Sequence, residues 1–565
     1  MIGNLPPFAI LLLGAFLVPL FRGRARGLFL LMLPVLSFVH LLGLPEGSSW
    51  QITLLTYDLT VVRIDRLSLL FGYIFHLAML IGLIYALHVR DNVQHVAALA
   101  YAAGALGAVF AGDLLTLFVF WELTAITSVF LIWARGTERS YRTGMRYLII
   151  QVGSGVLLLA GILFRLRETG SLEFNHFGPL DDPGTVLIFL AFGIKCAFPL
   201  LHNWLQDAYP EGTVTGTVFL SVFTTKLAVY VLARGFPGTE ILIAIGVTMA
   251  LFPIFFAVIE NDLRKVLAYS LNNQLGFMVV GIGIGTPLAL NGTVAHAFCH
   301  IIYKSLLFMS MGAVLYRTGT IKGSELGGLY KSMPVTAVCC IIGAASISAF
   351  PLFSGFVSKS MVMSAALHEG HDFVWLGLLF ASAGVFHHAG IKIPFFAFFA
   401  HDSGIRCAEA PRNMLTAMTI AAALCIGIGC FPGVLYSLLP FPVDYVPYTT
   451  GHVITQLQIL FFSALAFTWL RQSGIYPPEL RSVNLDVEWF YRRLAPGVYN
   501  AVAGVVGRAH GSLERFARSR ISYAIDALSL YLGPQGFLSS GQSTGNMALR
   551  VAVLLLAILV FYYFF

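Results

Sequence analysis

The chain has 565 residues, of which 58% are hydrophobic and 11% are charged, and its formal net charge is +7. Soluble domains contain about 25% charged residues, so this composition excludes a water-soluble globular protein and indicates an all-α polytopic membrane protein. The positive charge lies mostly in loops and near the C-terminus, which favours anionic lipid headgroups over nucleic acid as a partner.

Apolar runs of about 20 residues, long enough to cross a bilayer, follow one another along the sequence. We predict about sixteen transmembrane helices, at residues 5–21, 28–44, 67–88, 94–112, 113–134, 144–164, 184–206, 213–234, 240–260, 263–286, 291–316, 335–367, 373–400, 412–432, 452–470 and 547–565. The run at 335–367 is so long that it must contain a break. Three arginines follow the first run and no basic segment precedes it, which favours a retained span over a signal peptide.

The loops between these runs alternate in charge. Basic residues follow odd-numbered spans, namely Arg22, Arg24, Arg26, Arg135, Arg139, Arg142, Arg146, Arg264, Lys265, Arg317, Lys322 and Lys331. Loops after even-numbered spans are poorer in basic residues and often acidic. Because basic loops gather on the cytoplasmic side, this parity predicts that both termini lie outside.

The segment 471–546 differs from the rest of the chain. It contains eight arginines, among them Arg481, Arg492, Arg493, Arg508, Arg515, Arg518 and Arg520, between separated apolar residues. Pro496 suits the first turn of a helix, and the pattern from 497 to about 532 predicts an amphipathic lateral helix of roughly 50 Å along the membrane surface. The alternative is a basic, partly disordered linker. The final span, 547–565, follows it.

Ionisable side chains inside membrane spans are candidates for a functional site, because a charge near the bilayer centre costs at least a few kcal/mol. The main candidates are Glu122, Lys195, Lys226, His296, His300, Lys304 and Lys359. A second group consists of His387, His388 and Lys392. For Lys392 the alternative is a side chain that extends to the headgroups without a further role. One acid among several bases predicts a Glu–Lys ion pair.

His296, His300 and Lys304 are four residues apart, so on a helix they form one stripe about 12 Å long. Imidazoles that titrate near neutrality, in line with an amine, suit a proton relay. A His-x₃-His pair also occurs in metal sites, but a catalytic zinc needs a third protein ligand and the sequence offers none nearby. The seven cysteines form no CxxC pair. We therefore expect no metal.

Two of the predicted spans are interrupted by proline. Pro199 follows Lys195 by one helical turn, and Pro351 precedes Lys359. Breaks at membrane depth are tolerated where the backbone faces protein or a wet cavity, and paired broken helices point to an ion site in transporters. These breaks fall on the seventh and twelfth spans, which predicts two five-helix repeats. The predicted organisation is N-terminal spans at 1–93, repeats at 94–234 and 240–400, peripheral spans at 412–470, the lateral segment at 471–546 and a last span at 547–565.

Six stretches, in order between about residues 65 and 435, resemble one family of membrane subunits. They read GDLLTLFVFWELTAITSVFLI, GIKCAFPLLHNWLQDA, FTTKLAVYVLARG, DLRKVLAYSLNNQLGFM, HAFCHIIYKSLLFMSMG and FSGFVSKS. Together they are similar to the antiporter-like subunits of respiratory complex I, membrane-bound hydrogenases and Mrp cation/proton antiporters. TTKLAVYVLARG and HHAGIKIPFFAFF are most similar to the D-type subunit of Mrp antiporters.

The resemblance implies a fourteen-helix core in which the two repeats are inverted and a charged axis follows the membrane midplane. It implies that Glu122 pairs with Lys195 and that Lys226 continues the path. His296, His300 and Lys304 match the central relay of the family, and Lys359 matches the lysine of the broken twelfth helix. The chain departs from the D-type Mrp pattern after the fourteenth helix, where its extension resembles the lateral arm of the distal complex I subunit.

We therefore expect a proton-translocating subunit of a multisubunit membrane complex in a bacterial plasma membrane, with other membrane subunits as partners. One alternative is a Na+/H+ antiporter subunit of an Mrp-type complex, although no compact group of oxygen ligands for sodium is visible inside the spans. Another is a structural scaffold that does not conduct. Flavin, haem, quinone and nucleotide motifs are absent from the sequence, so we expect no cofactor and no catalytic chemistry of the chain's own.

Overall fold

The computed structural model describes residues 5–54, 56–476, 479–480, 484–534, 536, 541 and 543–564. The contacts within the chain divide it into two units, residues 1–484 and residues 485–565. Helices dominate both units, and the fold expected from the sequence, an all-α polytopic membrane protein, is confirmed.

The helices of the first unit follow the predicted order of spans. They are α1 Ala9–Leu17, α2 Gly23–Leu42, α3 Arg66–Ala86, α4 Asn92–Phe110, α5 Leu114–Trp133, α6 Glu138–Thr169, α7 Pro183–Cys196, α8 Asn203–Ala208, α9 Gly216–Val222, α10 Thr224–Gly235, α11 Ile241–Ile259, α12 Leu263–Ile284, α13 Pro287–Thr318, α14 Pro334–Ile347, α15 Ser354–His368, α16 Asp372–Val385, α17 Arg412–Cys430, α18 Pro432–Tyr436 and α19 Thr450–Gln472. Two π-helical turns, Phe386–Lys392 and Phe395–Phe399, extend α16.

Each of the sixteen predicted runs contains a helix. Within the described residues, twelve helical segments are long and apolar enough to cross a membrane, and three shorter apolar ones lie at 9–20, 183–196 and 334–347. α12, at the remaining predicted span, is a 22-residue helix with several buried polar side chains. A short antiparallel hairpin, β1 Ser49–Leu54 and β2 Tyr57–Arg63, was not predicted.

Aspartate side chains begin five of the helices. The five residues are Asp65, Asp91, Asp113, Asp182 and Asp262, which cap α3, α4, α5, α7 and α12. Each carboxylate accepts a hydrogen bond from a backbone N–H of the first turn, which would otherwise lack a partner. The negative charge also suits the positive end of the helix dipole. These caps fix the residue at which each of the five helices begins.

The two predicted breaks are confirmed and share one backbone geometry. The same four residues, AFPL, stand at 197–200 and at 349–352. In both copies the alanine and the leucine have positive φ, at 60° and 69° in the first copy and at 56° and 74° in the second. A left-handed conformation costs a residue with a Cβ roughly 1–2 kcal/mol. The repeated strain indicates that both breaks are built in the same way, as expected for two repeats.

A further interruption was not predicted. α9 ends at Val222 and α10 begins at Thr224, so Phe223 divides the eighth predicted span. Neither proline nor glycine marks this position, which explains why no sequence pattern indicated it. The divided span packs against α3, α4, α12 and α13 and is enclosed by the bundle, since the whole segment from 216 to 235 is buried.

The second unit contains two long helices, α20 Ala495–Leu532 and α21 Thr544–Phe564, preceded by a π-helical turn at Phe490–Leu494. α20 has 38 residues, which corresponds to about 57 Å at 1.5 Å per residue. It covers the segment for which a lateral helix was predicted. None of the described residues of α20 or α21 is buried within the chain.

Candidate functional site

Lys195 lies in the last turn of α7, directly before the first break, and its side chain is fully buried. Its Nζ atom donates hydrogen bonds to the carbonyl oxygen of Trp121, at 2.6 Å, and to Oγ1 of Thr124, at 2.8 Å. The Nζ atom also lies 4.2 Å from the centre of the Trp121 ring. A carbonyl, a hydroxyl and a π face thus replace part of the water that a buried ammonium loses.

Glu122 follows Trp121 on α5 and interacts electrostatically with Lys195. The family resemblance implies an ion pair between them. In the structure the hydrogen bonds of Lys195 go to α5 groups other than this carboxylate, and Oε1 of Glu122 has no partner among the described residues. The two charges are therefore neighbours without direct hydrogen bonding.

Gly155 of α6 leaves the space that the Glu122 carboxylate occupies. A Cβ atom at position 155 would overlap Oε1 of Glu122 and would lie 2.5 Å from its Cδ atom. Any other residue at this position would displace the carboxylate. The position of the acid is therefore set by the absence of a side chain on the neighbouring helix.

Replacing Gly155 with Ala should lower ion transport at least several-fold, because the new methyl group would displace the Glu122 carboxylate from its present position. Gly153→Ala is the matched control, since a Cβ at that position on the same helix meets no atom within 4 Å. We expect Gly153→Ala to leave transport unchanged and to stabilise the helix by roughly 0.5–1 kcal/mol. Transport assays and thermal unfolding of both variants test this, and normal transport by Gly155→Ala would contradict it.

Lys226 is the third residue of α10 and is also fully buried. Its Nζ atom donates to the carbonyl oxygen of Ser221, at 2.6 Å, and to Oγ1 of Thr225, at 3.2 Å. Ser221 lies at the C-terminal end of α9, where carbonyl groups lack partners within the helix. The interruption at Phe223 thus supplies an acceptor for the lysine. Lys226 is close enough to His300 and Lys304 to interact with both electrostatically.

The three residues of the predicted stripe, His296, His300 and Lys304, lie on α13 and are all fully buried. The two imidazole centres are 6.2 Å apart. Within the part of the chain that the structure describes, neither ring nitrogen of His300 nor Nζ of Lys304 has a hydrogen-bond partner. No group of three His, Cys, Asp or Glu side chains among those residues is placed to hold a metal ion.

Polar side chains of α12 border this stripe. Tyr303 donates to Oε1 of Gln274, at 3.1 Å, and Gln274 donates to Oδ1 of Asn273, at 2.7 Å. Among the described residues, both side-chain polar atoms of Asn272 and the hydroxyl of Ser270 have no protein partner. Buried polar groups of this kind are usually satisfied by water. α12 and α13 therefore enclose a region whose chemistry suits ordered water.

Lys359 lies on α15, after the second break, and its side chain is buried. Its Nζ atom donates to the carbonyl oxygen of Ile347, at 2.9 Å, so the side chain reaches back across the break to the C-terminus of α14. Position 347 stands in the same relation to the AFPL motif as position 195 does in the first repeat. Lys195 thus lies on the half-helix before the first break, and Lys359 lies on the half-helix after the second break and extends back to the one before it.

Two observations link Lys359 to the central stripe. Its neighbour Ser358 contacts Nδ1 of His296 at 3.1 Å, and the ring of Phe277 lies 5.2 Å from Nζ of Lys359 and 6.1 Å from the ring of His296. Lys359 also lines a cavity of about 90 Å³, together with His452 and Gln456 of α19. A cavity of this size holds water when it is lined by polar groups.

The second group of candidates, His387, His388 and Lys392, lies on the π-helical turn Phe386–Lys392. Lys392 is fully buried and does not extend to the headgroups, so that alternative for this residue is wrong. Its Nζ atom lies 2.9 Å from Oε1 of Glu479. His388 is fully buried and close enough to both Lys304 and Lys392 to interact with them electrostatically.

Several residues around the candidate axis were not predicted. Trp121 acts partly through its backbone carbonyl, which any residue would supply, so the sequence contains no signal for that contact. Tyr303 and Ser358 lie within two of the stretches that resemble the family. Their hydroxyl groups, each next to a lysine in the sequence, could have indicated them. Glu479 lies in the polar segment after α19, where the sequence offered no reason to place it against the bundle.

The chain matches the family model described as "NADH:quinone oxidoreductase/Mrp antiporter, TM" over residues 111–386. It is 33% identical over 289 residues to the D-type subunit of the Na(+)/H(+) antiporter of Alkalihalophilus pseudofirmus, covering 48% of this chain and 58% of that protein. It is 29% identical over 420 residues to hydrogenase-4 component B of Escherichia coli, covering 65% of this chain and 62% of that protein. The chain thus spans about three fifths of the length of these two relatives.

A solved structure of the membrane-bound sulfane sulfur reductase, an archaeal respiratory membrane complex, contains a chain of similar fold. The TM-score is 0.71 at 21% sequence identity, and the match covers 99% of this chain and 100% of that one. At this identity the likeness shows the fold alone. The family match extends from α5 to α16, and over these helices the chain is similar to antiporter-like integral membrane proteins of the NADH:quinone oxidoreductase/Mrp type.

Proposed function

We propose that this chain moves protons along a midplane relay of Glu122, Lys195, Lys226, His296, His300, Lys304 and Lys359, as one subunit of a larger membrane complex. The observation that supports this most is the burial of the ionisable groups: all four lysines and both histidines of the series have side chains with at most 1% exposure. Charges buried in this way are expensive and are normally retained for a function. The scaffold alternative gives no reason for so many of them.

The relay begins at the Glu122–Lys195 pair. When the carboxylate approaches Lys195, it favours the charged ammonium, and when it withdraws, the proton is favoured elsewhere. Lys226 is the next amine, and in its neutral form it accepts the proton that the Lys195 ammonium releases. A change of one pKa unit corresponds to about 1.36 kcal/mol, so movements of one neighbouring charge suffice to bias each transfer.

The second half of the relay continues from Lys226 to the stripe on α13. His300 and Lys304 interact electrostatically with Lys226, and His296 contacts the helix of Lys359 through Ser358. Polar groups of α12 provide sites where water links imidazoles whose centres are 6.2 Å apart. Lys359 then delivers the proton to the cavity that it shares with His452 and Gln456.

The similar proteins also support a proposal about partner subunits, and the charges of the loops support one about orientation in the membrane. The similar chains belong to an antiporter, a hydrogenase and a respiratory membrane complex, so the proposed partners are other membrane subunits of such an assembly. The proposed location is a bacterial plasma membrane with both termini outside, supported by the alternation of basic and acidic loops. In this assembly a partner would supply any redox chemistry.

A second candidate function is Na+/H+ exchange, which the likeness to the D-type subunit of a Na(+)/H(+) antiporter favours. The two functions differ in the ion that crosses together with, or against, the proton. Adding Na+ to energised vesicles that contain the assembly should collapse a pH gradient only if exchange occurs. A gradient that is insensitive to Na+ supports proton translocation alone.

Lys359→Met tests the proposed relay at its far end. Methionine fills the space of the lysine stem but cannot bind a proton, so proton transport should fall at least about tenfold, the factor that corresponds to one pKa unit. The measurement is acridine orange quenching in inverted vesicles that contain the complete assembly. Lys331→Met is the matched control, because that lysine is 51% exposed and pairs with Asp402 outside the relay. Equal transport by both variants would contradict a relay through Lys359.

A further inference from the structure

The π-helical turn Phe386–Lys392 and the segment after α19 meet in a buried ion pair that the relay described above does not use. Nζ of Lys392 lies 2.9 Å from Oε1 of Glu479, and the two side chains are 0% and 6% exposed. Both residues belong to the first unit of the chain. Buried charges that are placed together in this way cost free energy to desolvate, so the pair is a candidate for function rather than for stability alone.

Lys392 also forms hydrogen bonds with the C-terminal end of α11. Its Nζ atom donates to three carbonyl oxygens there, those of Ala257 at 3.2 Å, Val258 at 2.6 Å and Glu260 at 2.7 Å. Such carbonyls lack partners within the helix and form the negative end of its dipole, which suits an ammonium. The lysine therefore has three backbone acceptors in addition to the carboxylate of Glu479.

A second carboxylate, that of Glu260, lies near this pair at the end of α11. The side chain of Glu260 pairs with Lys265 at 3.1 Å, and the backbone of the same glutamate accepts from Lys392. The Lys265 side chain is 23% exposed, so this end of the cluster reaches solvent. Burial raises the pKa of the Glu479 carboxyl above its usual value, while the ammonium of Lys392 acts in the opposite direction.

On its other side the pair connects to the stripe on α13. His388 lies one turn before Lys392, on a turn that packs against α12 and α14, and both of these helices pack against α13. It interacts electrostatically with both Lys392 and Lys304. Its imidazole is fully buried. The series Lys304, His388, Lys392 and Glu479 therefore leads from the middle of the proposed relay to the surface at the end of α11.

The surface at the end of α11 and the cavity at Lys359 are two separate outlets of the proposed relay, and they differ in position. The cavity of Lys359 is lined by His452, at the first turn of α19, whereas Glu479 follows the last residue of α19, Gln472. α19 has 23 residues, which corresponds to about 35 Å at 1.5 Å per residue. The two outlets thus lie at opposite ends of one membrane-spanning helix.

We propose that Lys392 and Glu479 form a second ion-pair switch, which passes protons between the surface at the end of α11 and the stripe on α13 through His388. This inference rests on the proposed function and adds to it a proton-carrying branch with an acid from outside the two repeats. A proton on Glu479 moves to the amine of Lys392 when that amine is neutral, and from the resulting ammonium to the imidazole of His388. Each transfer leaves the donor able to accept the next proton.

The test compares Glu479→Gln, Glu479→Asp and Lys392→Met in inverted vesicles that contain the complete assembly. We expect Glu479→Gln and Lys392→Met to lower proton transport at least fivefold and Glu479→Asp to restore it to within twofold of the unchanged protein. Asp402→Asn, in the exposed pair with Lys331, is the matched control and should transport normally. Subunit composition on native gels shows whether each variant assembles.

Two outcomes would overturn the inference. One is normal transport by Glu479→Gln. The other is equal loss of transport in Glu479→Gln and Glu479→Asp together with loss of assembly, which indicates that the pair only holds the segment after α19 in place. Lys195→Met separates this inference from the proposed function: if that variant also transports normally, the relay itself is wrong, whereas its inactivity beside an active Glu479→Gln removes only the second switch.

Discussion

Replacing Lys195 with Met should abolish proton transport and leave assembly of the complex intact. Methionine matches the length of the lysine stem and is apolar, so it fits a site that is fully buried. What it removes is the ammonium that donates to the Trp121 carbonyl and the Thr124 hydroxyl. Without an amine at the first break, the proposed relay has no proton acceptor between Glu122 and Lys226. We expect a decrease of at least about tenfold.

Glu122→Gln should give the same defect for a different reason. The amide has the shape of the carboxylate but no charge, so it can no longer favour the protonated form of Lys195. Glu138→Gln is the matched control, because Glu138 is 72% exposed and pairs with Arg142 in the next turn of the same helix. Acridine orange quenching in vesicles measures transport, and native gels measure assembly.

The double variant Glu122→Gln/Lys195→Met adds a test of coupling. If the two residues act as one switch, the double variant should lose no more transport than either single variant, because residues that act together are strongly non-additive. Independent losses that multiply would indicate two separate roles. Normal transport in both single variants would show that the midplane relay does not exist in this chain.

The sequence predicted much of the fold because the physical signals were local. A run of about 20 apolar residues is long enough to cross the membrane as a helix, and a proline inside such a run removes a backbone hydrogen bond and can interrupt the helix. Pro199 and Pro351 therefore marked both breaks. The interruption at Phe223 had no such marker, because the backbone there deviates from the helix without proline or glycine. The left-handed conformation of the alanine and leucine in each AFPL motif could not be predicted either, since these residues rarely adopt it.

The candidate site was predictable as a set of residues but not as a set of contacts. A charged residue inside a membrane span is a candidate for function because burying its charge costs free energy. Lys195, Lys226 and Lys359 were found in this way. Their hydrogen-bond partners depend on how helices distant in sequence pack. Lys195 donates to a backbone carbonyl 74 residues away, and the acid that pairs with Lys392 lies in a polar segment after α19. Neither pairing leaves a pattern along the sequence.

Removing residues 485–565 should disrupt assembly of the complex while the remaining chain still enters the membrane. The first unit, residues 1–484, contains all candidate relay residues and has its own buried core. The second unit contains α20 and α21, in which none of the described residues is buried within the chain. Apolar side chains on α20, among them Val502, Leu513 and Phe516, are more than half exposed. Exposed apolar surface of this extent indicates a site of contact with protein or lipid.

The expected result is loss of co-purifying subunits from the 485–565 deletion, with the truncated chain recovered in the membrane fraction. Deleting only 533–565 distinguishes the roles of the two helices, because it keeps α20 and removes α21. If α20 makes the contacts that hold the complex together, the shorter deletion should retain part of the partner subunits. If the complex assembles normally without residues 485–565, the second unit does not hold the complex together, and the lateral helix contributes only contact with lipid headgroups through its arginines.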